Sequence, residues 1–122
     1  MQETKKHVKT NSLKLERTSS RSEHHDSYGF NIYRKNGYSI PKGMISSFHA
    51  IKSQITTPYE KWDIRIEFSV QSPTGDASDF FHYTIPCSEW SQAKAIVDQW
   101  FSMCEPMVDA VRQKEIDEYL YS

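Results

Sequence analysis

The side chains that could carry chemistry here are five histidines, two cysteines and sixteen carboxylates, and their spacing excludes most of what such groups do. His24 and His25 are adjacent, while His49 and His82 each stand alone with no Cys-x-x-Cys or His-Glu-x-x-His run beside them. Those spacings are what bring several ligands into one shell, so no metal site is expected. Cys87 and His82 could approach at the end of a strand as a nucleophile and base. No residue nearby could orient such a base, and a buried thiol is ordinarily inert. Asp63 and Glu67 share one strand face and Asp76 and Asp79 flank a turn, positions where carboxylates are usually solvated rather than catalytic. Four glycines leave no phosphate-cradling loop. The expectation is a protein that is not an enzyme, with no cofactor.

Binding chemistry is better represented. Lys5, Lys6, Lys9, Lys14, Arg17 and Arg21 could neutralise phosphates whatever the base sequence, and they could equally serve only to solubilise a tail. Tyr28, Phe30, Tyr33, Arg34 and Lys35 interleave rings with cations, the combination that holds single strands by base stacking and backbone neutralisation. The opposite end of the chain is acidic: residues 89–122 carry seven acidic and three basic side chains, which would repel nucleic acid and suit a protein partner.

The elements that must position these groups are legible by period. Residues 1–26 are polar, with Val8, Leu13 and Leu15 the only apolar side chains after Met1, and read as a flexible basic arm ahead of one domain spanning residues 27–122. Tyr28, Phe30 and Ile32 alternate as a strand, with Asn36-Gly37 as a hairpin turn. Met44, Ile45, Phe48, Ile51 and Ile55 fit a helix, although Phe48 and Ala50 could pair as a strand. Trp62, Ile64, Ile66, Phe68 and Val70 alternate with Asp63, Arg65, Glu67 and Ser69 in a half-buried strand, and Phe81, Tyr83 and Ile85 return after the turn at Ser72-Pro73-Thr74-Gly75-Asp76. Ser88 and Glu89 open a helix whose stripe is Trp90, Ala93, Val97, Trp100 and Cys104, and Pro106 should stop or kink it before a second helix. The class is therefore α+β, an antiparallel sheet of three to four strands packed against C-terminal helices. Two unpatterned cysteines point to an intracellular, cytoplasmic or nuclear setting, and no apolar run is long enough for a membrane span.

Several of these runs resemble the transcriptional positive cofactor four family of single-stranded-DNA-binding coactivators. They are Trp62-Asp-Ile-Arg-Ile-Glu-Phe68, Pro73-Thr-Gly75, Tyr83-Thr-Ile85 and Ser88-Glu-Trp-Ser-Gln-Ala-Lys94, with Val111-Arg112 further on, a likeness spanning about residues 60–100. The resemblance implies a curved four-stranded sheet that binds nucleic acid through residues such as Arg65 and Phe68, and a homodimer formed through the helix at residues 88–104. The functional expectation is single-stranded DNA or RNA binding in transcription regulation at Tyr28, Phe30, Tyr33, Arg34, Lys35, Arg65, Phe68 and the arm lysines. The alternative is a protein-interaction module or small inhibitor acting through the acidic C-terminal helices.

Overall fold

A computed structural model describes residues 12–35, 39–54, 61–74 and 79–121. Five strands, β1 (Leu13–Arg21), β2 (His25–Arg34), β3 (Ile45–Gln54), β4 (Trp62–Gln71) and β5 (Phe80–Cys87), precede one helix, α1 (Trp90–Tyr121). The strands form a single antiparallel sheet in chain order. An α+β domain was expected, but with five strands and one helix rather than three to four strands and several helices.

Three segments differ from the expectation, each for a physical reason. Residues 13–26, assigned to the arm, form β1 and begin β2, and Leu13 is completely buried. As an edge strand with one face in water, β1 needs few apolar side chains, so its composition resembles a tail. Residues 45–54 are a strand, because pairing with both β2 and β4 outweighs an incidental helical spacing. Pro106 lies inside α1, which runs on to Tyr121. It is exposed, so water can satisfy the carbonyl that loses its amide partner. The Asn36-Gly37 turn, Gly75 and Asp76 lie outside the described residues, as do Lys5, Lys6 and Lys9.

Register assigns the faces. Arg17, Phe30, Phe48, Phe68 and Tyr83 are successive cross-strand partners and therefore share one face, the face α1 covers. Their rings form a ladder, with centroids 5.7 Å apart for Phe30–Phe48, 5.4 Å for Phe48–Phe68 and 4.9 Å for Phe68–Tyr83. From the helix, Trp100 stacks on Phe48 at 5.3 Å and Phe101 meets Phe30 edge-on at 5.6 Å. Ala93, Val97, Cys104 and Val108 recur at helical spacing and are buried against the sheet, the first two over a face that includes Ala50. The stripe expected to join two chains through residues 88–104 is thus largely the domain's own core.

Polar ties fix the helix across the strands. Asp98 accepts from Tyr28 at 2.5 Å and from Arg17 at 3.0 Å, and the Arg17 guanidinium lies 3.9 Å from the Phe101 ring centre. Those two donors hold the Asp98 carboxyl below its ordinary range, and the same contact raises the Tyr28 hydroxyl. Further along, Arg34 reaches Glu115 at 3.1 Å and Arg112 donates to the Leu13 carbonyl at 2.6 Å. The turn before β3 needs Gly43 at a φ of 78°, a conformation in which Met44 donates back to the Pro41 carbonyl and enters the core.

Candidate functional site

The rings and cations singled out by alternation are divided between the two faces of β2. Tyr28, Phe30 and Arg34 point under the helix: Phe30 is sealed, Tyr28 is half-buried on Asp98, and Arg34 is tied to Glu115 and to the Ser39 carbonyl at 2.7 Å. Tyr33 emerges on the opposite face and donates to Glu16 at 2.9 Å. Lys35 is exposed in the turn that follows. On β4, Phe68 is packed between Phe48 and Tyr83, whereas Arg65 lies on the open face against Asp63 at 2.6 Å and Glu67 at 3.5 Å. These residues do not form one platform, because a period of two sends neighbours to opposite sides.

The open face is mostly polar. One row across it runs Thr18, Gly29, His49, Glu67, Thr84. The His49 ring lies across Gly29, where the missing side chain leaves room, and its Nε2 is 2.9 Å from Thr18 Oγ1. Beside it a recess of about 330 Å³ is lined by Ser47, His49, Glu67, His82 and Thr84. Burial pushes the His49 imidazole below its ordinary range, against a smaller upward pull from Glu67. Because the unfolded chain binds a proton more readily than the native one, His49 should cost stability as pH falls below about 6.5. Urea unfolding at pH 7.5 and pH 5 should show a larger loss for the native sequence than for His49→Gln. Equal losses would remove His49 from the account. Among the described residues no three His, Cys, Asp or Glu side chains are placed to hold a metal ion.

Cations and indoles converge elsewhere, where the end of β1, the start of β2 and β3 meet the first turn of α1. Here a cleft of about 470 Å³ is lined by Ser19, Arg21, Tyr28, Lys52, Trp90 and Lys94, with Asp26 as its one carboxylate. Register explains the gathering: Arg21 faces Asp26, Asp26 faces Lys52, and Ser19 faces Tyr28. Trp90 and Lys94 are one helical turn apart, and the ammonium of Lys94 is 5.7 Å from the Trp90 ring centre. Diagonally across β3 and β4, Lys52 sits 4.5 Å above the ring centre of the exposed Trp62. Four of the five arginines, Arg17, Arg34, Arg65 and Arg112, each meet a carboxylate. Arg21 meets none among the described residues and opens into this cleft. Of the expected site residues that are described, only Tyr28 contributes. The period-two spacing of Ser19 and Arg21 and the four-residue spacing of Trp90 and Lys94 were the available signals, obscured because residues 13–26 resemble a tail.

Comparison with family models, curated proteins and solved structures finds no match for this chain. No helix among the described residues is long and apolar enough to cross a membrane.

Proposed function

We propose that the protein is a non-catalytic domain that binds single-stranded DNA or RNA in the cleft between the β1–β3 ends and the start of α1. The supporting observation is that Arg21, which among the described residues makes no ion pair, shares the cleft with Lys52 and Lys94, each of which lies over an indole. A phosphate drawn to Lys52 or Lys94 brings its neighbouring base beside Trp62 or Trp90, where stacking is tolerant of sequence and worth about 1–3 kcal/mol per base. Asp98, early in α1, is held by Tyr28 and Arg17, and the remaining acidic positions, among them Glu105, Asp109, Asp117 and Glu118, fall from the middle of the helix onward, away from the cleft at its start. A role in transcription regulation is consistent with such binding and is part of the same proposal.

Fluorescence anisotropy of labelled single-stranded and duplex oligonucleotides over a salt series tests this, with a second sample lacking residues 1–11 to isolate the lysine-rich start. Single strands should bind more tightly, and each of Arg21→Ala, Lys52→Ala and Lys94→Ala should flatten the log–log salt slope by about 0.7. Binding that ignores the triple replacement, or that vanishes with residues 1–11, would remove the cleft from consideration. A second reading, a protein-contact role, is favoured by a separate surface, the exposed apolar edge strand β5.

A further inference from the structure

Among the charged side chains that line the cleft, Asp26 is the exception in sign. It lies on β2 with Arg21 as its cross-strand partner on β1 and Lys52 on β3, and Lys94 and Trp90 complete the surround from α1. Opposite charges directly across neighbouring strands stabilise a sheet when they pair. Asp26 is half-buried, yet among the described residues it makes neither an ion pair nor a side-chain hydrogen bond. Asp98, which approaches from the helix, differs in being bonded to Tyr28 and Arg17. A carboxylate kept out of ion pairs retains both oxygens as acceptors, and a ligand that displaced their water without donating to them would lose free energy. The cleft is therefore complementary to a ligand with two kinds of group, anionic oxygens for the cations and paired N–H donors for Asp26.

The bases differ in what they offer such a group. On its Watson–Crick edge guanine presents N1–H and N2–H side by side, a fork that meets both oxygens of one carboxylate. Adenine and cytosine place a ring acceptor beside their amino group. Thymine and uracil flank N3–H with two carbonyls, so in all three cases one oxygen of Asp26 would face an acceptor. A single strand leaves that edge free, whereas a duplex occupies it. The cleft volume of about 470 Å³ lies within the range of about 300–1,000 Å³ that holds a small ligand, room for one nucleotide unit beside Trp90.

We propose that the cleft selects guanine in single-stranded nucleic acid, with Asp26 accepting from N1–H and N2–H of the base while Arg21, Lys52 and Lys94 hold the flanking phosphates. The inference rests on the nucleic-acid reading of this cleft and adds the base it takes. Asp26 is a specificity-determining residue in two ways: it accepts from guanine, and its charge weakens the binding of every strand that offers it no donors.

Fluorescence anisotropy with oligothymidylate strands carrying one central guanine, adenine, cytosine or hypoxanthine tests it. The guanine strand should bind about tenfold more tightly than the adenine and cytosine strands, the usual worth of a bidentate base contact. Hypoxanthine keeps N1–H and lacks the N2 amino group, so it should lose most of that advantage. Asp26→Asn, which keeps the shape and removes the charge, should move two readings in opposite directions: plain oligothymidylate binds more tightly and the preference for guanine disappears. A purely structural role would weaken both. Equal binding of the guanine and hypoxanthine strands, or a guanine preference that survives Asp26→Asn, would overturn the proposal and leave the cleft reading standing. If no strand binds, the nucleic-acid reading fails and this inference falls with it.

Discussion

Replacing Phe48 with alanine should lower the unfolding free energy by about 3–5 kcal/mol, the usual cost of emptying a buried aromatic site. Phe48 is 2% exposed on the central strand, and its ring stacks with Phe30, Phe68 and Trp100. Three of its neighbours are themselves aromatic and set by strand register or by the helix, so the hole cannot collapse cheaply. The same ring joins the sheet to α1. Its loss should therefore reduce the cooperativity of the whole domain rather than loosen one hairpin. A chain of 122 residues falls between small domains, which shift by about 4–8 °C of Tm per kcal/mol, and larger ones, which shift by about 2–4 °C, so the expected drop is on the order of 10 °C or more. Urea unfolding followed by circular dichroism checks it, and a loss under about 1 kcal/mol would mean that the aromatic ladder is not the centre of the core.

Gly29→Ala should be nearly as damaging although it adds a single methyl group. A Cβ at this position would stand 2.7 Å from His49 Cα, and nearer still to the Phe48 carbonyl oxygen and the His49 ring. Two of those three atoms are backbone of β3, so β2 and β3 would have to part locally, with a cost of about 3 kcal/mol. A double-mutant cycle separates the causes. His49→Ala removes the ring conflict and leaves the carbonyl in place, so it should recover only part of the loss. Full recovery would show that the side chain alone excludes a methyl group there. Because His49 reaches Thr18 across this glycine, the replacement should also break the polar row on the open face.

The alternation of Trp62 to Val70 and the return at Phe81 to Ile85 were sufficient to identify the β4–β5 hairpin, and the helical spacing from Trp90 to Cys104 identified most of α1. Those segments are amphipathic, and one buried face imprints its period on the sequence. β1 and β3 left weaker marks. β1 is an edge with polar residues on its open face, and β3 carries Ile51 on that face beside serines, which blurs its period of two. Pro106 suggested a break, but a helix held on the sheet by Val108, Arg112 and Glu115 beyond the proline has enough tertiary support to continue.

The cleft is a different matter. Arg21, Lys52 and Lys94 are separated by 31 and 42 positions in the chain, and no local pattern relates them. What the sequence by itself determined was the period of its most amphipathic segments: β2, the β4–β5 hairpin and the first part of α1. Strand order, register and the reach of α1 decided the rest. They buried Phe30, paired Arg34 and Arg65 with acids, and left Arg21 without an ion pair among the described residues. Period-two and period-3.6 patterns record only how each segment meets its own core, whereas a site assembled across strands depends on which segments lie side by side.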